Sequence, residues 1–175
     1  RGFAIGLHTG GAYPRRLDEV IDAVDCIGLD VKAPASGYAA VTGIGGSGGA
    51  AGASLRLVAA SGVDYEVRTT VHPDLVPDDA LLRLADELAS LGVRRWVLQP
   101  FRPTGCADEA LVAASPCGAS LGEPLLARLR ERVPGVAVRA VHHRFGISVR
   151  RRAGRGDVLR SRQRGRNGSP STRRR

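Results

Sequence analysis

Five short apolar runs alternate with amphipathic stretches along the sequence, and this alternation narrows the possible folds more than any other feature. The runs cover residues 3–8, 27–31, 65–71, 95–101 and 136–141. Each run is too short for a stable helix and is bounded by turn residues, which predicts strands. Between them, stripes with the spacing of a helix face occupy residues 17–24, 51–59, 81–91 and 125–133. The sequence therefore predicts βαβ units and a parallel sheet.

The spacing of the predicted strands favours a barrel. Successive strand starts lie about 33 residues apart on average, close to the roughly 31 residues per unit of an eight-unit (β/α) barrel. We therefore expect an α/β protein that forms a barrel or part of one. A doubly wound open sheet shows the same alternation, so the spacing alone leaves that alternative open.

The second predicted strand ends in an acid and a base. Asp30 and Lys32 follow the apolar run that starts at Ile27, and Pro34 closes the segment. Buried ionised groups are costly unless they are paired or liganded, so this strand end predicts a functional site. Lys32 is also the single lysine among 26 basic residues, which indicates a need for a compact ammonium group. The alternative is a strand-end pair that only solvates a loop.

Polar residues follow four successive predicted strands. In either architecture a ligand binds beyond the carboxyl ends of the strands, so these residues are expected at one rim. They are His8, Thr9, Asp30, Lys32, Arg68, Thr70, His72, Gln99 and Arg102. Cations, one carboxylate and several hydroxyl or amide groups suit a zwitterionic, ribose-bearing small molecule. No Ser or Cys has the setting of a nucleophile elbow, so the rim does not predict a hydrolytic triad.

The basic charge is concentrated in the C-terminal segment. The chain has a net charge of +9, but residues 148–175 hold 11 of the 26 basic residues and one of the 17 acids. Residues 1–147 are therefore almost neutral. The segment 148–175 is rich in Arg, Gly and Ser with few apolar residues, which predicts a disordered tail. It is a candidate nucleic-acid-binding arm without aromatic residues for base stacking, and a read-through or frameshifted extension is the alternative.

Other motifs are weaker. Residues 43–48 match G-x-G-x-x-G, but no strand leads directly into them, so we predict a flexible loop rather than a phosphate site. His142 and His143 have no acid or cysteine at ligand spacing, and no metal site is predicted there. Three scattered cysteines make no disulfide framework, which favours a reducing compartment. No apolar run reaches ~18 residues and no signal peptide is visible, so we expect a cytoplasmic protein without membrane contact.

Four segments, in the same order, resemble one family. They are GFAIGLHTGG (2–11), VDCIGLDVKAP (24–34), SGVDYEVRTTVHPDL (61–75) and LGVRRWVLQPFRPTGC (91–106). Together they resemble the radical S-adenosylmethionine activating proteins of anaerobic ribonucleoside-triphosphate reductase, relatives of the pyruvate formate-lyase activating enzyme. The resemblance implies a partial (β/α) barrel and an iron–sulfur oxidoreductase. In that family a [4Fe-4S] cluster on a CxxxCxxC loop cleaves S-adenosylmethionine, and the radical takes hydrogen from a glycine of the partner reductase.

The resemblance also implies which residues bind the cofactor. Asp30 and Lys32 would contact the ribose or the carboxylate of S-adenosylmethionine, and Arg68 would contact the carboxylate. Thr9 and Gln99 would lie at the nucleoside. These assignments are carried over from the matching segments and place the cofactor at the predicted rim.

The sequence departs from the family in what it lacks. It has no CxxxCxxC motif, and Cys26, Cys106 and Cys117 are too widely spaced to replace it. Arg102 stands where a related activase carries a ribose-binding His, and by that correspondence it joins the cofactor-binding residues. The likeness begins at the family's third strand, and the chain starts at Arg1 and has no methionine. We therefore expect a C-terminal fragment that is truncated at its N-terminus, lacks the cluster loop and is inactive alone.

The interpretation is a partial radical S-adenosylmethionine barrel over residues 1–147, followed by an Arg-rich disordered tail over residues 148–175. Two alternatives remain. One is a different (β/α)-barrel enzyme that uses the same rim for a phosphorylated metabolite. The other is a non-enzymatic protein that binds nucleic acid through the tail.

Overall fold

The computed structural model describes residues 3–114 and 121–139. Within these ranges the strands are β1 (Gly6–Thr9), β2 (Cys26–Asp30), β3 (Asp64–Val71), β4 (Arg95–Pro100) and β5 (Gly135–Val138). The helices are α1 (Pro14–Val20), α2 (Tyr38–Thr42), α3 (Ser47–Ala60), α4 (Asp78–Ser90), α5 (Glu109–Ala114) and α6 (Glu123–Arg132). Short 3-10 turns cover Ile21–Ala23 and Ala35–Gly37. The predicted alternation of strands and helices is confirmed.

The five strands lie side by side in their order along the chain, and every neighbouring pair is parallel. Gly6 lies opposite Cys26, and Asp30 lies opposite Arg68. Each βα unit therefore adds its strand beside the previous one, as in the wall of a barrel. A doubly wound sheet reverses its strand order, so the order of the described strands is not the doubly wound one. Among the described strands, β1 and β5 lie at the two edges of the sheet.

One face of the sheet is apolar and covered by helices. Successive side chains of a strand point to opposite faces, and one alternating set, including Ile27, Leu29, Val67, Trp96 and Leu98, is almost completely buried. These side chains form one core with apolar residues of α1, α3, α4 and α6. Consecutive parallel strands with right-handed crossovers place their helices on the same side. The opposite face is therefore left for the polar side chains.

Helix α4 illustrates how the sequence pattern produces this packing. Asp78 and Asp79 lie in the first turn, where negative charge interacts favourably with the helix dipole. Leu84 and Leu88 are fully buried against the sheet. Gly92, with φ of 70°, follows the end of the helix in the left-handed conformation that glycine adopts most easily. The predicted helix and its glycine stop are confirmed.

The prediction of a flexible loop over residues 43–48 is wrong for its last two residues, which belong to a helix. Gly43 and Gly46 have φ angles of 69° and 75°, but helix α3 starts at Ser47 and continues through the following glycines. The buried face of α3 holds it in place, and the Ser54 hydroxyl donates a 2.8 Å hydrogen bond to the Gly11 carbonyl. Tertiary packing therefore outweighs the weak helix propensity of glycine.

Several element boundaries differ from the predicted ones. β1 starts at Gly6 because its partner β2 starts at Cys26, which lies opposite Gly6. The preceding Phe3 and Ile5 are exposed. The stripe through residues 17–24 is also not one helix, since α1 ends at Val20, whose side chain is exposed. The short helices α2 and α5 were not predicted.

Some predictions fall on residues 115–120 and 140–175, outside the described residues. They concern the end of the fifth strand, Cys117, the pair His142 and His143, and the disordered tail. The division into a barrel domain and a tail stays a prediction for the same reason.

Candidate functional site

A cavity of about 840 Å³ lies where β2, β3 and β4 end, at the predicted rim. We call it the first cavity. Its walls come from these strand ends, from α2, and from the loops that precede α1 and α3. It is lined by Gly10, Ala12, Tyr13, Lys32, Tyr38, Val41, Thr42, Ile44, Gly45, Gly46, Ser47, Ala50, Thr70, His72, Leu75 and Phe101. Its size is that of a small-molecule site, and its described lining is largely apolar with one ammonium group and no carboxylate.

Tyr38 fixes the strand end that carries Asp30 and Lys32. Its hydroxyl donates to the Asp30 carbonyl and accepts from the Lys32 N–H, both at 3.4 Å. The Tyr38 side chain is buried, and this burial raises the pKa of its phenol above the ordinary 10.0. The hydroxyl therefore keeps its proton at neutral pH. The backbone of Lys32 is held while the residue itself is exposed at the cavity.

Asp30 is paired with Arg68, on the neighbouring strand. The Arg68 guanidinium donates from Nε to Asp30 Oδ1 at 2.8 Å and from Nη2 to the Gly28 carbonyl at 3.2 Å. Gly28 makes room for this arrangement, because a Cβ there would lie 2.9 Å from Arg68 Cζ. The Arg68 side chain is 8% exposed and that of Asp30 is 42% exposed. Among the described residues, Lys32 joins no ion pair.

His8, on β1, also contacts Arg68. Arg68 Nη1 lies 3.2 Å from His8 Nδ1. A guanidinium can only donate, so Nδ1 is the acceptor and the neutral ring carries its proton on Nε2. His8 is exposed, but some loss of solvation beside its neighbours lowers its pKa, and the positive charge of Arg68 lowers it further, while Asp30 and Glu66 act in the opposite direction. The neutral ring is the form that fits this contact.

A second ion pair lies on the same face of the sheet. Both carboxylate oxygens of Glu66 accept from Arg139 Nη2, at 2.9 and 3.0 Å, and Arg95 Nη2 lies 3.9 Å away. Glu66 is 1% exposed. One buried carboxylate is therefore shared by two guanidinium groups. The sequence did not reveal this contact, because it joins residues 73 positions apart.

A smaller cavity of about 450 Å³, which we call the second cavity, adjoins the first. The two cavities share Thr70 and Phe101. The second cavity is lined by Thr70, Gln99, Pro100, Phe101, Arg102, Thr104, Gly105, Cys106 and Arg139. Two of the predicted cofactor-binding residues, Gln99 and Arg102, therefore line this cavity and not the first.

Two further rim residues have local structural contacts. The Gly11 N–H donates to Thr9 Oγ1 at 3.1 Å, within the turn after β1. His72 is buried, and its Nδ1 accepts from the Asp74 N–H at 3.2 Å. Its Nε2 therefore carries the proton and donates to the Leu111 carbonyl at 3.2 Å. His72 is a wall of the first cavity rather than a proton carrier open to solvent.

The six predicted cofactor-binding residues thus lie at the same edge of the sheet, in different settings. Lys32 lines the first cavity, Gln99 and Arg102 line the second, Asp30 and Arg68 form an ion pair, and Thr9 belongs to a turn. That they bind a cofactor stays a prediction. Tyr38 was missed, since a tyrosine between two strands carries no signal of its tertiary contacts.

The described cysteines do not fit an iron–sulfur cluster. In residues 3–114 and 121–139, no three His, Cys, Asp or Glu side chains converge on a metal site. Cys26 is buried in β2, and this burial raises the pKa of its thiol, whereas Cys106 is half-buried after β4. A [4Fe-4S] cluster takes thiolates that meet at one point.

Within residues 3–114 and 121–139, no helix is long and apolar enough to cross a membrane.

Comparisons with known proteins place the fold. The sequence matches no protein-family profile and no curated protein sequence. The structure is similar to a domain of pyruvate-formate lyase-activating enzyme from Bacteroides vulgatus ATCC 8482, with a TM-score of 0.58 and 15% sequence identity. The match covers 79% of this chain and 83% of that chain. The fold of this chain, an α/β arrangement built on five parallel strands, is therefore similar to the fold of that domain.

Proposed function

We propose that the chain is the S-adenosylmethionine-binding part of a radical S-adenosylmethionine activating enzyme. The observation that carries the proposal is the first cavity, an apolar site at the strand ends in which Lys32 supplies the positive charge. The similarity in fold to a domain of pyruvate-formate lyase-activating enzyme adds support.

The residues at the first cavity fit the parts of this cofactor. The Lys32 ammonium would bind the methionyl carboxylate, and the Thr70 hydroxyl would bind a polar group beside it. The ring of Phe101 provides an apolar wall for the adenine. Asp30 is not among the residues that line the first cavity, but it lies two residues before Lys32. Its carboxylate, held by Arg68 at 2.8 Å, would accept a hydrogen bond from the ribose. In this proposal Arg68 acts through Asp30, and the neutral His8 stabilises that arrangement.

The redox chemistry is not assigned to the described residues, because their cysteines do not fit a [4Fe-4S] cluster. In the family that the sequence resembles, bound S-adenosylmethionine supplies a deoxyadenosyl radical. We propose that a cluster loop of the full protein completes the site and that the partner is anaerobic ribonucleoside-triphosphate reductase. The sequence resemblance supports both statements. A CxxxCxxC motif encoded upstream of Arg1 in the gene is the expected observation.

The test is the affinity of the chain for S-adenosylmethionine, measured by calorimetry. Lys32→Ala and Asp30→Asn should each weaken binding about ten- to a hundredfold, because a charge-assisted hydrogen bond contributes roughly 1.5–3 kcal/mol. Lys32→Arg should also bind more weakly, since a planar guanidinium is larger than an ammonium group.

Arg83→Ala is the matched control, because Arg83 is exposed on α4 and pairs only locally with Asp79. It removes one positive charge, as Lys32→Ala does, and should leave the affinity unchanged. If all variants bind as tightly as the parent chain, the strand-end residues are structural and the site assignment fails. Binding of a phosphorylated metabolite in place of S-adenosylmethionine would favour the alternative barrel enzyme.

A further inference from the structure

We infer that the second cavity is an oxyanion-binding subsite, which takes the phosphate or carboxylate group of a ligand other than the cofactor. The inference goes beyond the proposed function, because the residues that define the subsite do not depend on what fills the first cavity. Its main residues are Arg102 and Arg139.

The chemistry of the lining suits an oxyanion. Arg102 and Arg139 bring two guanidinium groups to a cavity of about 450 Å³, and no acidic side chain is among its described lining residues. Thr70, Gln99 and Thr104 add hydroxyl and amide donors. Guanidinium groups with neutral donors beside them are the usual ligands of phosphate and carboxylate groups in proteins.

An ion pair with Glu66 holds the guanidinium of Arg139 in place. Glu66 binds its Nη2 through both oxygens, at 2.9 and 3.0 Å, and Glu66 is buried. The same carboxylate also faces Arg95, at 3.9 Å. The Glu66 carboxylate therefore faces two guanidinium groups, those of Arg139 and Arg95. A guanidinium held before binding loses less conformational entropy when the ligand arrives.

The position of the subsite relates it to the first cavity. Thr70 on β3 lies opposite Gln99 on β4, so both side chains point to the same face of the sheet. The two cavities meet at Thr70 and Phe101. A ligand anchored by its anionic group in the second cavity would therefore extend toward a cofactor in the first. In this proposal the ligand of the second cavity is a second substrate, and protection of the cavity by S-adenosylmethionine alone is the result that would assign it to the cofactor instead.

The test uses Cys106, a half-buried thiol that lines the second cavity. The rate of its alkylation by iodoacetamide is followed by peptide mass spectrometry in the full chain, with sodium phosphate, sodium acetate or sodium chloride at equal ionic strength. An anion bound in the cavity shields the thiol from the reagent. Cys117 in the same digest reports general salt effects, and every variant keeps the arginines of residues 140–175.

Phosphate or acetate should slow the alkylation of Cys106 about tenfold at a concentration about ten times its dissociation constant, by mass action. Chloride should leave the rate of Cys106 alkylation unchanged. Protection by phosphate alone identifies a phosphate group as the ligand, and protection by acetate alone identifies a carboxylate. Either result supports the subsite. Arg102→Gln, a substitution at an exposed position, should raise the concentration of phosphate or acetate that is needed to protect Cys106 about ten- to a hundredfold.

Arg139→Gln should have the same effect, but it leaves Glu66 short of a partner, so Arg102→Gln is the decisive variant. Arg83→Gln on α4 is the control. In this variant the anions should protect Cys106 as well as they do in the parent chain. The inference is overturned if neither anion protects Cys106, or if Arg102→Gln is protected as well as the parent. It is also overturned if S-adenosylmethionine alone protects, which would assign Gln99 and Arg102 to the cofactor. The binding experiment on Lys32 remains independent of each of these results.

Discussion

Arg68 organises three groups at the strand ends. It binds Asp30 and the Gly28 carbonyl on β2 and faces His8 on β1. The sequence placed Asp30 and Arg68 at a common rim, because parallel strands end at the same edge. It did not predict their contact, which depends on strand register and on the absence of a side chain at Gly28. Lys32 is thereby left without Asp30 as an ion-pair partner and faces the first cavity.

The protonation of His8 should make stability depend on pH. The pKa of His8 in the folded chain lies below its ordinary 6.5, through partial loss of solvation at this exposed position and then through the charge of Arg68. The unfolded chain therefore binds the proton more readily. The contribution of His8 to stability is complete above about pH 6.5 and is lost as the pH falls through the folded pKa. Protonation of Nδ1 also removes the acceptor for Arg68.

Urea unfolding of the parent chain and of His8→Gln between about pH 7 and pH 5 measures this effect. The glutamine amide offers an acceptor that does not titrate. The parent should lose more stability over this range than His8→Gln, and an NMR titration should give a His8 pKa below 6.5. Equal losses in both proteins, or an NMR value above 6.5, would show that Arg68 does not act on this ring.

Among the elements, α3 shows where sequence patterns succeed and where they stop. Its apolar stripe predicted a helix, and Ala51, Leu55 and Val58 are buried as expected. Its first turn was mistaken for a loop, because glycine-rich sequences have little helix propensity of their own. The missing stabilisation comes from contacts far along the chain, such as the hydrogen bond from Ser54 to Gly11. Local patterns do not contain such contacts.

Two glycines offer a test of the contact between α3 and the turn after β1. Gly11 and Gly92 have φ angles of 69° and 70°, so alanine is strained at both, by about 1–2 kcal/mol. A Cβ at Gly11 would lie 2.9 Å from Ser54 Cβ, whereas nothing lies within 4 Å of one at Gly92. Gly11→Ala should therefore be the more destabilising change, by about 1–3 kcal/mol for overpacking.

The free energy of unfolding of both glycine variants in urea gives the comparison. Because the backbone strain is matched, the difference between them isolates the steric contact. Equal losses of stability at Gly11 and Gly92 would mean that α3 moves away from the turn without cost.

For the whole molecule, the alternation of elements predicted the parallel sheet but could not fix its winding. The sequential strand order, with helices on one face, appears only when the strands are assembled. The site depends on that winding, because the face opposite α1, α3, α4 and α6 carries Asp30, Glu66 and Arg68. The division into two cavities also depends on it, since loops from different units form their walls. Spacing within one unit contains no information about either feature.

The charge distribution makes a separate prediction for the full chain. Residues 1–147 are almost neutral, so retention on heparin should come from the arginines beyond them. Deleting residues 150–175 should abolish that retention. In the full chain it should fall steeply with salt, because each neutralised anionic group releases condensed counterions. Unchanged retention after the deletion would place the basic surface in the remaining part of the protein.

The most direct test of the proposed function is a crystal structure of the chain grown with S-adenosylmethionine. The cofactor should lie in the first cavity, with its carboxylate about 2.7–3.2 Å from Lys32 Nζ and its adenine against Phe101. A cofactor bound elsewhere on the protein, or one in the first cavity that does not contact Lys32, would contradict the proposed function.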